Sequence, residues 1–440
     1  MADPARLTAY RLLRGVAENH AYANLLMPAL LAEARLSTRD AALATELGYG
    51  TLRAQGTLDA ILAACVDRPL STVDASVLDL LRLGAYQALR TRVPQHAAVA
   101  TTVDLARARG KARAAGFVNA VLRRVAEADW DEWTRRLGES ASPLGRLALR
   151  TAHPEWIAAA FADALGGDLA ETEAVLVADD TRPQTHLVAW PGRLERDALV
   201  AESGGTPGPW SPYAVRMEGG DPAQLPSVRE GRAAVQDEGS QLCALALVAA
   251  PLSGPDEQWL DMCAGPGGKT ALLAATAAAR GAVVVANELH PHRAELVRRA
   301  TAPWDVAVRI GDARELTGSY DRVLLDAPCT GLGALRRRPE ARWRRDPSNV
   351  PALAALQREL LAAALRVVRP GGVVAYVACS PHLAETRDIV AGAALVDARP
   401  AFPEVPEVGD GPAVQLWPHR HGTDAMFCAL VRGVAGAAPP

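Results

Sequence analysis

Hydrophobic positions follow different periods in the two ends of the chain. In the first 128 residues they recur at helical spacing, as in the face formed by Val77, Leu81, Gly84 and Ala88. No strand pattern is evident before Pro154. The pattern therefore predicts an all-helical bundle of about six helices, to which we assign residues 1–138.

The middle of the chain, residues 139–232, has a less regular pattern. Two short apolar segments, Leu187–Trp190 and Ala214–Met217, are strand candidates. Glycine- and proline-rich stretches at Gly204–Pro209 and Gly219–Pro222 separate and bound them in the manner of turns. These features predict a small α/β subdomain that links the bundle to the rest of the chain.

From Val235 onward apolar strands and amphipathic helices alternate regularly. Such alternation requires a mostly parallel sheet with right-handed crossovers, which is a Rossmann-like α/β fold. We assign residues 233–434 to this domain and expect residues 435–440 to be a disordered tail. The predicted strands are Gln258–Leu260, Ala282–Glu288, Val306–Ile310, Arg322–Asp326 and Gly372–Val377.

Length and composition are those of a soluble protein with several domains. The chain has 440 residues, 49% of them hydrophobic and 22% charged, with a formal net charge of −3. Its first residues lack the basic start and apolar run of a signal peptide, and its most apolar segments are too short to span a bilayer. We therefore expect a cytoplasmic protein that does not enter membranes, and we expect it to be monomeric.

The cysteines and histidines do not predict a metal site. The six cysteines are scattered without a C-x-x-C pair, which argues against a disulfide framework and a structural zinc site. His419 and His421 have no cysteine or carboxylate nearby at ligand spacing. We predict that no metal is bound.

The stretch Asp261–Thr270 predicts a ligand-binding loop. It joins a short strand to a helix through glycines and a proline, an arrangement that points backbone N–H groups at a bound ligand. A phosphate-binding loop would need glycine at Cys263, and the third glycine of a dinucleotide fingerprint falls on Thr270. Both of those motifs fail at one position, which leaves a doubly wound fold that binds a nucleoside-like cofactor.

Acidic residues at strand ends support such a cofactor. Glu288 ends the second strand, where it could accept hydrogen bonds from ribose hydroxyls, although a surface glutamate is the alternative. Asp312 follows the third strand and could accept from the exocyclic amine of adenine. With the glycine loop at the amino-acid end, the set would bind S-adenosylmethionine. The predicted cofactor-binding residues are Cys263, Ala264, Gly265, Pro266, Gly267, Gly268, Lys269, Glu288, Arg293, Asp312 and Asp326.

Two cysteines also follow predicted strands. Cys329 comes after the fourth strand and Cys379 after the fifth, so both should lie at the edge of the sheet where ligands bind. A single cysteine at a strand end is more often a small buried hydrophobe than a nucleophile. Two of them at neighbouring strand ends beside a cofactor site favour a chemical role.

Several motifs together resemble known families. Ala41–Arg53, Leu81–Gln87 and Val118–Arg124 resemble the NusB-like RNA-binding domain, and the resemblance implies that the bundle binds RNA. The remaining motifs, in chain order, resemble the RNA 5-methylcytosine methyltransferases of the Sun/RsmB family. They are Val235–Gln241, Asp261–Thr270, Asp326–Gly331, Ala378–Ser380 and Pro418–Asp424.

The family resemblance implies roles for individual residues. Cys379 would add to carbon 6 of cytosine, Cys329 would assist release, and Asp326 would hydrogen-bond nitrogen 3 of the ring. DNA cytosine methyltransferases use the cysteine of a Pro-Cys pair, which would be Cys329, so spacing alone leaves the two roles interchangeable. The chain departs from the family near Cys379, because Ala378 replaces a common threonine and Glu385 lacks the usual flanking residues of a Glu-Glu-Asn run.

An arginine-rich segment directly follows the Cys329 loop. Arginines with an interleaved tryptophan suit single-stranded RNA, through phosphate contacts and base stacking, whereas a merely solvated loop is the alternative. The residues predicted to bind RNA are Arg336, Arg337, Arg338, Arg342 and Trp343.

The sequence thus predicts an S-adenosylmethionine-dependent enzyme that methylates carbon 5 of a cytosine in small-subunit ribosomal RNA. A non-catalytic RNA-binding or ribosome-assembly factor that retains the cofactor fold is one alternative. A methyltransferase for a small molecule or a protein is another, but it would not need the helical bundle or the arginine-rich segment.

Overall fold

The computed structural model describes residues 3–434, so the tail expected at residues 435–440 lies outside the described residues. The chain begins with ten helices. They are α1 Pro4–Asn19, α2 Ala23–Ala34, α3 Thr38–Cys65, α4 Ala75–Arg90, α5 Gln95–Ala108, α6 Ala115–Val125, α7 Trp130–Leu137, α8 Pro143–Arg150, α9 Glu155–Ala164 and α10 Leu169–Asp180.

Strands first occur after α10, as the sequence predicts. The next elements are β1 Thr185–Ala189, α11 Arg196–Ser203, β2 Thr206–Pro207, β3 Ala214–Met217, α12 Pro226–Arg229, β4 Ala233–Val235 and α13 Glu238–Ala249. The last elements are β5 Gln258–Asp261, α14 Gly268–Ala278, β6 Val283–Glu288, α15 Pro291–Thr301, β7 Val306–Ile310, β8 Tyr320–Asp326, α16 Ala341–Arg344, α17 Val350–Val367, β9 Val368–Ala378, β10 Leu395–Val396, β11 Val414–Gln415, α18 Pro418–His421 and β12 Phe427–Arg432.

The chain forms two compact units, and the first is discontinuous in sequence. Within the described residues, unit 1 extends to Arg182 and also includes Leu335–Asp346, whereas unit 2 contains Pro183–Ala334 and resumes at Pro347. The division at Arg182 differs from the predicted boundary near residue 138. Helices α8, α9 and α10 belong to unit 1, where the indole N–H of Trp130 in α7 donates to the carbonyl of Arg150 in α8 at 2.9 Å.

Local sequence sets the helices of unit 1. Asp3 caps α1 by accepting from the N–H of Arg6 at 2.9 Å, and Pro4 occupies the first turn, where a missing N–H costs nothing. Gly50 in α3 lets α4 approach closely, since a Cβ at Gly50 would lie 2.0 Å from the hydroxyl oxygen of Tyr86. The helices enclose a core of buried leucine, valine and alanine side chains.

The insertion Leu335–Asp346 is anchored in unit 1 by a buried arginine. Arg342 is completely buried, and its guanidinium donates to the backbone carbonyls of Ala152 at 2.8 Å, Asp179 at 3.2 Å and Arg53 at 3.4 Å. Burial lowers the pKa of Arg342 to about 10, so its guanidinium is still charged at neutral pH. One side chain therefore ties together three segments that are distant in sequence.

Unit 2 contains a small antiparallel sheet with strand order β2-β3-β1-β4. Glu238, the first residue of α13, fastens this sheet to the larger fold. Its buried carboxylate accepts from the backbone N–H groups of Trp210 at 2.8 Å and Ser211 at 2.9 Å, and from the guanidinium of Arg216 at 2.8 Å. Strand β4 is not among the predicted strands, because three residues are too few to show a period.

The larger sheet of unit 2 carries the predicted Rossmann-like topology. Its strand order is β10-β12-β9-β8-β5-β6-β7, with β11 paired to β12. The five strands β5 to β9 are parallel, and β12 is antiparallel to β9. The chain proceeds from β5 to β7 on one side and then crosses to β8 on the other. The strand order therefore reverses beside β5, which is where ligands bind in such sheets.

We expect Arg342→Ala to destabilise unit 1. The change leaves buried backbone carbonyls without a donor, and such losses cost about 1–3 kcal/mol each, so the free energy of unfolding of unit 1 should fall by at least about 2 kcal/mol. Hydrogen exchange of the α3 and α10 amides in urea measures this quantity. Arg345→Ala, in the same segment but with a partly exposed side chain, is the control. Equal stability of the two variants would contradict the anchoring role.

Candidate active site

The loop between β5 and α14 packs closely against helix α15. Gly267 has φ +111°, and a Cβ there would lie 2.7 Å from the Cβ of Ala300, so glycine is required. The hydroxyl of Thr270 donates to the buried carboxylate of Asp261 at 2.7 Å, which ties the end of the strand to the helix. Burial raises the pKa of Asp261 to about 7. The first N–H groups of α14 face the ligand side of this turn.

Glu288, at the end of β6, braces the same loop. It is 3% exposed, and its two oxygens accept from the N–H of Gly265 at 3.0 Å and the N–H of His290 at 3.0 Å. Arg293 in α15 donates to the carbonyl of Gly265 at 2.5 Å. A Cβ at Gly265 would lie 2.3 Å from Glu288 Oε2, so the glycine permits this contact. Glu288, Arg293 and Gly265, which the sequence predicts to bind the cofactor, are thus brought together at one loop.

Asp312 lies at the expected strand end but is engaged by a neighbour. Its carboxylate accepts from the backbone N–H of Arg314 at 2.9 Å. It also forms an ion pair with the guanidinium of Arg314 at 2.6 Å. Hydrogen bonds from Arg314 lower the pKa of Asp312, so the side chain is a stable carboxylate. An adenine amine would have to share this acceptor with Arg314.

Two apolar residues beside the cofactor loop were missed by the sequence analysis. Leu289 directly follows Glu288 and is 54% exposed, and Ile310 at the end of β7 is 47% exposed. Large apolar side chains left open at the ligand edge of a parallel sheet suit the faces of a planar base. Their only signal in the sequence was that Leu289 follows a predicted strand and Ile310 ends one.

The sulfur atoms of Cys329 and Cys379 are in contact. Their Sγ atoms are 3.4 Å apart, and both residues are partly exposed. The hydrogen bond with Cys379 and burial raise the pKa of Cys329 well above its ordinary value. Cys329 therefore stays protonated and can donate its S–H to the sulfur of Cys379. Cys263 is also held as a thiol, since burial raises its pKa.

Lys269 and Asp326 form an ion pair beside the cysteines. Lys269 Nζ lies 2.8 Å from Asp326 Oδ2, with the lysine side chain 11% exposed. Burial alone would lower the pKa of Lys269, but the attraction of Asp326 outweighs it and the pKa is raised. Cys379 lies close enough to Lys269 to contribute, less strongly than Asp326, to the raised pKa of the lysine.

The arginine-rich segment belongs to unit 1, and most of it is packed. Arg336 is 7% exposed, Arg342 is completely buried, and the ring of Trp343 lies where a Cβ of Gly56 would be only 2.1 Å away. We therefore assign Arg342 and Trp343 to packing rather than to RNA binding, because Arg342 is fully buried and the indole N–H of Trp343 already donates to the carbonyl of Arg53 at 2.9 Å. Arg338 remains exposed, with its guanidinium 5.9 Å from the ring centre of Tyr22.

Across residues 3–434, no cluster of three histidine, cysteine, aspartate or glutamate side chains has a metal-binding arrangement. In the same part of the chain, every helix is too short or too polar to cross a membrane.

Comparisons with known proteins agree with this geometry. The model of the NusB family matches residues 3–127, and the model described as 16S rRNA methyltransferase RsmB/F matches residues 248–432. Rv1407 of Mycobacterium tuberculosis, which is named as a methyltransferase, is 55% identical over 98% of this chain and 96% of its own. The ribosomal RNA small subunit methyltransferase B of Pseudomonas putida is 35% identical over 88% of this chain and 87% of its own.

Solved structures show the same fold. The crystal structure of PH0851 covers 98% of this chain and 99% of its own with a TM-score of 0.80 at 21% identity. That of NSun6 from Pyrococcus horikoshii with SFG covers 64% and 98% with a TM-score of 0.53 at 19% identity. The chain belongs to the RsmB/F family of 16S rRNA methyltransferases, and it is an S-adenosylmethionine-dependent methyltransferase of ribosomal RNA with a NusB-family domain at its N-terminal end.

Proposed function

We propose that the enzyme methylates carbon 5 of a cytosine in small-subunit ribosomal RNA through a covalent bond between the base and Cys379. The observation that carries the proposal is the 3.4 Å contact between Cys379 and Cys329, beside the loop assigned to the methyl donor. Carbon 5 of cytosine is a poor nucleophile, so a reaction there needs prior addition of a thiolate to carbon 6. A pair of sulfurs at a methyl-donor site is suited to that chemistry.

Cys379 performs the addition. Its thiolate forms a bond to carbon 6, and the electrons of the 5,6 double bond make carbon 5 nucleophilic. Addition pushes electrons toward nitrogen 3, which takes up a proton from solvent; its new N–H donates a hydrogen bond to the carboxylate of Asp326, and the proton is returned when the sulfur leaves. Lys269 keeps Asp326 in place through their 2.8 Å ion pair and favours the thiolate. Bound S-adenosylmethionine supplies the electrophilic methyl group that carbon 5 takes.

Cys329 assists the release of the product. Release breaks the bond from carbon 5 to hydrogen and the bond from carbon 6 to sulfur. The proton passes to a base, its electron pair restores the double bond, and Cys379 leaves as a thiolate. Because the pKa of Cys329 is raised, its S–H is present to hydrogen-bond the departing sulfur. This division of roles matches the one that the family resemblance implies.

Changing Cys379 to alanine should abolish methyl transfer. Removal of a covalent nucleophile costs several orders of magnitude, and we expect a loss of at least about 1,000-fold. Transfer of a labelled methyl group to ribosomal RNA, followed by bisulfite mapping of the product, measures it. Cys65→Ala, which alters a buried cysteine of unit 1, is the control and should retain activity. Turnover by Cys379→Ala would refute the nucleophile assignment. If the wild-type protein binds S-adenosylmethionine but transfers no methyl group, a non-catalytic assembly factor would be favoured.

Changing Cys329 to alanine should let the covalent intermediate accumulate. The departing thiolate loses its hydrogen-bond donor, so release slows while addition continues. A protein–RNA band that survives denaturing electrophoresis reports the adduct, and it should be absent from the Cys379→Ala variant. If Cys379→Ala traps the adduct and Cys329→Ala does not, the two roles are reversed.

Changing Glu288 to glutamine should weaken binding of S-adenosylmethionine. The variant loses the carboxylate that orders the glycine loop and that we assign to the ribose hydroxyls. Hydrogen bonds to charged groups contribute about 1.5–3 kcal/mol, so Kd should rise by about 10-fold or more in isothermal titration calorimetry. Glu295→Gln, on the exposed face of α15, is the matched control. Equal affinities in the two variants would remove Glu288 from the cofactor site.

A further inference from the structure

Glu385 connects the two cysteine loops directly. It lies in a short turn seven residues after the end of β9 and is completely buried. One carboxylate oxygen accepts from the backbone N–H of Thr330 at 2.7 Å. The other accepts from the hydroxyl of Ser380 at 2.7 Å and from the hydroxyl of Thr330. Thr330 is the residue after Cys329 and Ser380 is the residue after Cys379, so a single side chain is bonded to both loops next to their sulfurs.

The position of this carboxylate is itself fixed from two sides. The amide of Gln357, in α17, donates to the carbonyl of Pro328 at 2.8 Å and lies 3.4 Å from the nearer carboxylate oxygen of Glu385. The hydroxyl of Tyr376, in β9, donates to the backbone carbonyl of Glu385 at 2.7 Å. Hydrogen bonds therefore connect the two loops to helix α17 and to strand β9.

Stability alone is a weak reason for such an arrangement. A buried carboxylate is costly unless several donors satisfy it, and apolar replacements of buried charged groups are often no less stable. Hydrogen bonds to a charged acceptor are, however, short and directional, so they fix geometry more closely than apolar packing does. The feature that this carboxylate fixes is the spacing of two loops that each carry a sulfur.

We propose that Glu385 is a positioning residue that holds the Cys329 and Cys379 loops so that the Cys379 sulfur faces carbon 6 of the target base and the Cys329 thiol faces that sulfur. The inference rests on the proposed cysteine chemistry and deepens it. Glu385 does not contact the reacting atoms in this role; it acts through Thr330 and Ser380. Its length is what matters, because it must reach both loops at once.

Two variants separate the length of the side chain from its charge. Glu385→Gln keeps the length, and the hydroxyls of Thr330 and Ser380 can turn to accept from the new amide. Glu385→Asp keeps the charge but is one methylene too short to reach both loops. A displacement of about 1 Å can cost about 100-fold in rate, so the aspartate variant should form product about 100-fold more slowly. The glutamine variant should stay within about 10-fold of the wild type, the cost of one altered hydrogen bond.

The experiment measures the rate of adduct formation on RNA that contains 5-fluorocytidine, from which release is blocked. S-adenosylmethionine affinity and thermal unfolding are measured in parallel. We expect Glu385→Asp to slow adduct formation while cofactor affinity and unfolding temperature stay close to those of Glu385→Gln. Glu359→Gln, which changes an exposed glutamate on α17, is the control.

The outcomes distinguish this inference from the proposed function. If the wild type forms no adduct, the covalent reaction fails and the role of Glu385 falls with it. If the wild type forms the adduct and Glu385→Asp matches its rate, only the positioning role is refuted. The role is also refuted if Glu385→Gln is the slower variant, since charge would then matter more than reach. It is refuted too if cofactor affinity, unfolding temperature and rate decline together, which would indicate a general structural defect.

Discussion

The proposed chemistry depends on the contact between the sulfur atoms of Cys329 and Cys379, and the sheet of unit 2 makes that contact possible. Strands β8 and β9 are parallel neighbours, with Asp326 opposite Val377 in register. Both strands end at the same edge of the sheet, and Cys329 and Cys379 follow them within a few residues. Strand β5, whose loop is assigned to the methyl donor, pairs with the other side of β8. Parallel pairing of three adjacent strands thus places the donor loop, the acid and both thiols side by side.

The two cysteines are chemically alike but have different electrostatic surroundings. The ammonium of Lys269 is paired with Asp326, and Cys379 lies within range of its charge. Cys329 is instead kept protonated, because its hydrogen bond with Cys379 and its burial raise its pKa. In the proposed mechanism, this difference suits Cys379 to act as the nucleophile and Cys329 to act as the hydrogen-bond donor. Sequence spacing could not distinguish them, because each cysteine simply follows a strand.

Features encoded locally were predictable, and features made by distant contacts were not. The predicted strands ending at Glu288, Ile310 and Asp326 end there in the structure, because apolar runs and glycine turns are visible in short windows. The insertion of Leu335–Asp346 into unit 1 was invisible, since Arg342 binds backbone carbonyls, which leave no trace in the residue types. For the same reason Arg342 was predicted to bind RNA, whereas the prediction for the exposed Arg338 stands. The bonds from Glu385 to the Cys329 loop likewise join residues that are distant in sequence.

Mass spectrometry of the trapped complex tests the central claim most directly. The wild-type enzyme is incubated with S-adenosylmethionine and a 5-fluorocytidine ribosomal RNA fragment, then digested with protease and nuclease. The account predicts a peptide in which Cys379 carries a methylated fluorocytidine adduct, with Cys329 unmodified. An adduct on Cys329, or methylated cytosine formed without any cysteine-linked species, would contradict it.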